Sequence, residues 1–237
     1  MRHILIILFI FLFSFVIFSC GEKEESTDST ATTTSSPLFV SVGNSGTILT
    51  STDGTTWTSK TSGTDEHLYG VTYANSTFVV VGDNDTGSGT GTILTSTDGT
   101  TWTSRTSGTS NHLYGVTYGN STLIIVGDNG TILTSTDATT WTSRTSGVSN
   151  WIDAPIYKNS TFVAVGTSGQ IFTSSDGTSW DNRTYGTTDN FTGVDYGNST
   201  FVAFGYSGTI LTSSDATTWT SRTSGTSEHL RRVTYKE

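Results

Sequence analysis

The sequence predicts an all-β fold, a five-bladed β-propeller of four-stranded antiparallel blades, and three observations predict it. The first is a period. Trp57, Trp102, Trp141, Trp180 and Trp219 stand 45, 39, 39 and 39 residues apart, and Asp53, Asp98, Asp137, Asp176 and Asp215 keep the same spacing. Residues 39–237 therefore hold five copies of one unit, with a six-residue insertion in the second. The second is chemistry: in each unit short β-branched and aromatic runs alternate with Gly, Asn, Asp and Ser turns, and no Ala/Leu/Glu-rich helical stretch occurs. A unit of 39 residues accommodates four strands of about six residues and four short connections, the size of one blade. The third is phase. The repeats open on a second strand, Phe39-Val-Ser-Val-Gly43, and end on a first strand, Leu230 to Tyr235, so the C-terminal strand is expected to complete the N-terminal blade and close the ring.

Within one copy the expected order from the axis outward is Leu113–Tyr118, Leu123–Gly127, Thr131–Thr136 and Thr140–Ser146. Asn75, Asn120, Asn159 and Asn198, each in Asn-Ser-Thr, fall between first and second strands and read as turn residues rather than glycan acceptors. Lys60, Arg105, Arg144, Arg183 and Arg222 share one position on the outermost strand, where basic side chains discourage edge pairing.

Residues 1–19 stand apart from the repeats. A basic start at Arg2 leads into an apolar run from Ile4 to Phe18, about 15 residues against the roughly 20 that a spanning helix needs, so the segment reads as an export signal. Residues 20–38 are expected to be Cys20 and a flexible tether, because 21–37 are polar and lack the large apolar side chains needed to pack. Of the 237 residues, 32% are hydrophobic and 13% charged, against roughly 45–50% and about 25% in an average domain; about 50 threonines and 26 glycines fill the difference. One cysteine excludes disulfide scaffolds and CxxC metal sites. A net charge of −9, more acidic still once Arg2 leaves with the signal, excludes nucleic acid as a partner.

Two resemblances add to these readings. Ile17-Phe18-Ser19-Cys20 resembles a loose form of the lipobox of bacterial lipoproteins, with Ile in place of the usual Leu and Phe where a small residue is typical. That resemblance implies cleavage before Cys20, lipidation of its thiol and attachment to a membrane of the bacterial cell envelope, at the outer membrane or cell surface. Ser51-Thr-Asp53-Gly54-Thr-Thr-Trp57 and its four copies resemble the Asp-box, or bacterial neuraminidase repeat, over residues 39–237, although one residue shorter between Ser and Trp. The motif marks the turn between third and fourth strands in sialidases, related glycosidases and non-enzymatic propellers such as the photosystem II assembly factors. Five equivalent carboxylates around a ring cannot converge on one substrate, so Asp53, Asp98, Asp137, Asp176 and Asp215 are read as turn acceptors and the five tryptophans as wedges between sheets. Ala138 and Ala216 replace the motif glycine in two copies, which predicts that a positive φ is not obligatory there.

Function is expected at one mouth of the ring, where the loops enter the first strands. His67, His112, Trp151, Asn190 and His229 occupy the position just before that strand, with Glu66, Asn111, Asn150, Asp189 and Glu228 ahead of them. Trp151 is the tryptophan that breaks the repeat, and Asp153, Pro155, Arg231 and Arg232 also depart from it; Arg231 and Arg232 are expected to meet Asp153, Asp189 or an anionic ligand. The candidate ligand-binding residues are thus His67, His112, Trp151, Asp153, Asn190, His229 and Arg231. Asp83 and Asp85, in the insertion, carry the start of a calcium-loop spacing without its closing carboxylate, and three histidines on separate blades do not make a zinc site. No metal or cofactor is expected.

The expected function is a non-catalytic, lipid-anchored propeller, monomeric, that binds a protein or glycan or serves as a scaffold. The alternative is a sialidase-like glycoside hydrolase. Against it, the two off-repeat arginines are adjacent, and Asp153 and Asp195 are the only acids in the first strands.

Overall fold

The computed structural model describes residues 38–85 and 89–236. The export signal, Cys20 and the tether up to residue 37 lie outside the described residues. The repeats fold as five antiparallel sheets, each with its strands paired in chain order. The first contains β1 (Phe39–Val42), β2 (Ile48–Ser51) and β3 (Thr58–Lys60). The second contains β4 (Leu68–Ala74), β5 (Thr77–Gly82), β6 (Thr92–Ser96) and β7 (Thr103–Arg105). The third contains β8 (Leu113–Gly119), β9 (Thr122–Gly127), β10 (Ile132–Ser135) and β11 (Thr142–Arg144). The fourth contains β12 (Ile152–Lys158), β13 (Thr161–Gly166), β14 (Ile171–Ser174) and β15 (Asp181–Asn182); the fifth contains β16 (Phe191–Gly197), β17 (Thr200–Gly205), β18 (Ile210–Ser213) and β19 (Thr220–Arg222).

Turn chemistry sets these pairings. Each hairpin from first to second strand turns on an Asn-Ser pair in the left-handed region, such as Asn120 and Ser121 at φ 45° and 57°, the geometry of a two-residue hairpin turn whose twist matches its strands. The arginines of the outermost strands bind inward: Arg105, Arg144 and Arg222 donate through Nε to Thr95, Thr134 and Thr212 at 2.8–2.9 Å.

The core is four clusters, each between consecutive sheets. Side chains alternate along a strand, so β9 sends Leu123 and Ile125 to the cluster shared with the second sheet and Ile124 and Val126 to the one shared with the fourth. Val163, Val165 and Ile171 meet Phe191, Phe201 and Leu211 between the fourth and fifth sheets; Ile48 meets Leu68, Val80 and Leu94 between the first and second. Among the described residues no cluster joins the fifth sheet to the first.

The structure departs here from the expected closure. Residues 230–236 form no strand, and the first sheet has three strands rather than four. The segment is held by the fifth blade instead: the Leu230 N–H donates to the Gly205 carbonyl at 2.9 Å, Thr192 Oγ1 donates to the Leu230 carbonyl, and Tyr235 packs on Gly197, leaving that glycine no room for a Cβ.

The same Ser-x-Asp turn is formed in all five copies. In the first, the N–H groups of Thr55 and Thr56 donate to Asp53 Oδ1 at 2.8 Å each, while Ser51 Oγ accepts from the Gly54 N–H at 2.9 Å and donates to Asp53 at 2.9 Å. Contrary to the sequence-based expectation, the motif position keeps a positive φ with alanine: Ala138 and Ala216 sit at 59° and 61°, beside Gly54, Gly99 and Gly177 at 69–76°. The Ala138 N–H makes the same bond to Ser135 Oγ, at 2.9 Å, so the turn dictates the backbone whichever residue stands there.

Backbone N–H bonds from the residues after each Asp hold these carboxyls low: Asp98 is lowered to about 2 chiefly by Thr101 and Thr100, and Asp53, Asp137, Asp176 and Asp215 lie further below the usual range. A depressed folded pKa gives stability that is present above the unfolded value, about 3.9, and is lost as pH falls through the folded one. Melting temperature is therefore expected to drop steeply between about pH 4 and pH 2. In Asp98→Asn, thermal melts across that window should show an acid limb shallower by roughly one fifth, with a lower melting temperature at pH 7.

Candidate functional site

The mouth of the arc is shaped by a fault in the first strands. β4, β8 and β16 each carry a register shift after their opening residue, at Leu68/Gly70, Leu113/Gly115 and Phe191/Gly193, and in β12 the shift runs from Asp153 to Ile156. A bulge leaves its residue unpaired and re-aims the side chain. Tyr69, Tyr114 and Thr192 stand at these points, while in β12 Asp153 is the last residue paired, with Val165, before Ala154 and Pro155 leave the ladder. Pro155, which has no ladder donor, and Ala154 at φ 47° widen the fault in β12.

Beside it lies a cavity of about 490 Å³, lined by Tyr114, Trp151, Asp153, Asn190, Phe191, Tyr206, Arg231 and Arg232 among others. Trp151 is 57% exposed, and its ring stands 5.8 Å from that of Tyr114. Asp153 is the acid of this lining. Burial pushes its carboxyl above the ordinary range, against the Ala154 N–H that donates to Oδ1 at 2.6 Å and the field of the Arg232 guanidinium. No ion pair to either arginine forms among the described residues, so the expected salt bridge is absent. Two cationic heads and a reluctant carboxylate share one apolar-walled space.

Four of the predicted residues meet here: Trp151, Asp153, Asn190 and Arg231. Asn190 is already engaged, its Oδ1 accepting the Ser168 N–H at 3.0 Å. His67 and His229 do the same for their preceding blades, accepting the N–H of Ser45 at 2.9 Å and of Ser207 at 3.2 Å through Nδ1. These three side chains tie neighbouring blades together. His229 also stacks on Tyr206, ring centroids 4.0 Å apart. The aromatic lining residues that sequence reasoning missed are Tyr114, Phe191 and Tyr206. Tyr206 was detectable, because it stands where the other copies carry Asn44, Asp83, Asp128 and Thr167.

A second polar group surrounds the insertion. Tyr69 donates to Asp83 Oδ2 and Tyr114 to Asp128 Oδ1, both at 2.8 Å, and His112 Nε2 lies 3.7 Å from Asp85 and 4.0 Å from Asp128. Burial and the Asp83 carboxylate push Tyr69 up to about 12. Burial opposes the Asp83 charge, but bonds from Tyr69 and the His67 N–H outweigh it and its pKa is lowered. Ligand-type atoms of His67, Asp83 and Asp85 lie within 4.8 Å of one another. Both Asp83 oxygens and His67 Nδ1 already accept protein hydrogen bonds, from the His67 N–H, the Tyr69 hydroxyl and the Ser45 N–H. His67, His112 and His229 do not form a metal-ligand group among the described residues.

No family model and no curated protein matches the chain. Solved structures do. It superposes on YCF48 bound to D1 peptide with a TM-score of 0.61 at 18% identity, covering 78% of this chain and 63% of that one. YCF48 from Cyanidioschyzon merolae gives 0.60 at 15% identity, covering 81% and 70%, and virginiamycin B lyase from Staphylococcus aureus gives 0.65 at 12%, covering 81% and 71%. The chain thus spans about two thirds of the length of the propellers it resembles, and the likeness establishes the fold.

Asp153 carries a pH signature of its own. A raised folded pKa means that the folded state holds its proton to higher pH than the unfolded chain, so stability is lost as pH rises from about 3.9 through the raised value. Asp153→Asn is expected to raise the melting temperature at pH 7 and to flatten that loss, as differential scanning calorimetry between pH 4 and pH 7 would show.

Proposed function

We propose that the chain is a non-catalytic propeller held at the bacterial cell envelope by a lipid on Cys20, and that its mouth cavity binds an extended segment of a protein partner. The cavity carries this reading: aromatic walls from Tyr114, Trp151, Phe191 and Tyr206 for apolar side chains, with Arg231, Arg232 and Asp153 to pair with charged groups of either sign. The similarly folded YCF48 is known bound to a peptide, which supports a propeller of this kind as a peptide receptor. A glycan could use the same aromatic platform, but two arginines in the lining favour a partner with carboxylates.

The lining supports a binding site over a glycosidase. Retaining and inverting hydrolases need two carboxyls, about 5–5.5 Å or 6.5–9.5 Å apart, and the cavity presents Asp153 alone. Turnover of a fluorogenic sialoside by the full chain, abolished by Asp153→Asn, would restore the hydrolase reading.

Two experiments test the proposal. Peptides selected from a random display library on the full chain in detergent should lose roughly tenfold or more in affinity with Trp151→Ala, the scale of a buried aromatic anchor; selected peptides whose binding ignores that change place the site elsewhere. For the anchor, radiolabelled palmitate fed to an expressing bacterium should label the wild type and not Cys20→Ser.

A further inference from the structure

The aromatic surface at the mouth extends beyond the cavity wall. Tyr69, Tyr114 and Trp151, from the second, third and fourth blades, stand in a row with ring centroids 5.6 and 5.8 Å apart. Tyr69 is 45% exposed and Trp151 57%, while Tyr114, between them, also lines the cavity. Two such steps span at most about three to four residues of extended chain, at roughly 3.3 Å each. Large rings left open in a continuous row that leads into a pocket have the make-up of a docking surface, not of a core.

Charge is divided along this surface. The two tyrosines are each tied to an acid fourteen residues on, Tyr69 to Asp83 and Tyr114 to Asp128, both at 2.8 Å, and Asp85 follows in the insertion with 61% of its side chain exposed. The pairing stops there: at the same two positions the fourth blade carries Asp153 and Thr167, and the fifth Thr192 and Tyr206. The arginines of the lining, Arg231 and Arg232, follow the fifth blade, so acids and cations enter the mouth from different blades. Asp83 is buried, yet the bonds from the Tyr69 hydroxyl and the His67 N–H hold it ionised. Among the described residues no lysine or arginine pairs with Asp83, Asp85 or Asp128; their basic neighbour is His112, whose Nε2 lies 3.7 Å from Asp85 and 4.0 Å from Asp128. Buried negative charge beside exposed ring faces attracts a cation twice over, through the field of the carboxylates and through the ring quadrupoles.

We infer that the partner segment bound at the mouth is charge-ordered: a lysine or arginine lies over Tyr69 and Tyr114 with its head at Asp85 and Asp128, an apolar side chain meets Trp151, and an acidic residue about three to five positions along the segment reaches Arg231 or Arg232. The inference rests on the reading of the mouth as a peptide site and adds the sign and order of the residues that site selects. A long basic side chain suits the row, because its aliphatic stem covers ring faces while its head reaches the acids. At the other end Asp153, whose burial disfavours its charge, does not cancel the two guanidinium groups. The reverse placement sets a basic head against two arginines and an acid against three carboxylates, so repulsion enforces the order as much as attraction does.

The test uses the full chain in detergent and peptides selected on it from a random display library. Selected sequences should carry Lys or Arg and Asp or Glu about three to five positions apart. For a synthetic peptide of this kind, Asp85→Asn combined with Asp128→Asn should weaken binding roughly three- to tenfold, and exchanging the peptide's basic residue for Gln should cost about the same. Both changes together should cost little more than either, since they remove one contact. Asp85→Lys should weaken binding further and be rescued by a peptide with Glu in place of its basic residue, a rescue that damage to the fold does not imitate. Peptides that need Trp151 but ignore the changes at Asp85 and Asp128, or that carry acids and no base, overturn this inference and leave the peptide site standing. Peptides insensitive to Trp151→Ala, or no selected peptide at all, overturn both. Tighter peptide binding with Lys23→Gln would make the chain's own tether the occupant and overturn the assignment to a partner.

Discussion

Everything in this fold hangs on a carboxylate that accepts two successive backbone N–H groups. This aspartate, steadied by a serine hydroxyl two residues earlier, closes the turn after each third strand without any partner from elsewhere in the chain. The turn forces its next residue into the left-handed region, at a cost of roughly 1–2 kcal/mol for a residue other than glycine. Where that residue is alanine the methyl group is buried against the preceding sheet, worth about 0.8 kcal/mol, so about half of the strain is offset and the position tolerates both residues. The same turn fixes the tryptophan three residues on. Its indole donates to the carbonyl at the turn in the first, fourth and fifth copies, while Trp102 and Trp141 bury theirs unpaired. Packing the ring outweighs one unmade hydrogen bond, which costs about 1–3 kcal/mol against the 150–250 Å² an aromatic side chain buries.

A strict repeat cannot build a site from unlike groups, because each side chain is copied to every blade. The cavity therefore appears where copying fails. Trp151, Asp153 and Pro155 stand in the fourth blade where the second and third carry His, Tyr and Val, Tyr206 stands where the other copies carry Asn44, Asp83, Asp128 and Thr167, and Arg231 and Arg232 depart from the repeat after the fifth blade. The register shifts that all the first strands share supply the room; the departures supply the chemistry.

This division also explains what was legible in advance. The strands were readable because their turns are local: Asn-Ser hairpins and Ser-Asp boxes find their partners within four residues, so residue type and spacing specify them. Trp151, Asp153 and Arg231 were readable as interruptions of a pattern. His67, Asn190 and His229 looked equally available, but each is taken by a backbone N–H 22 residues away, which no local pattern reveals. The expected pairing of residues 230–236 with β1 is not formed among the described residues, where that segment makes no strand and is held to the fifth blade through Leu230.

Each blade touches only the blade before it and the blade after it, through clusters of nearly the same composition. Stability in such an array is close to a sum over neighbours, as in a linear crystal. A gene encoding near-identical 39-residue units invites slippage during replication, and here a slip in frame would insert or delete a whole blade while leaving every surviving boundary intact.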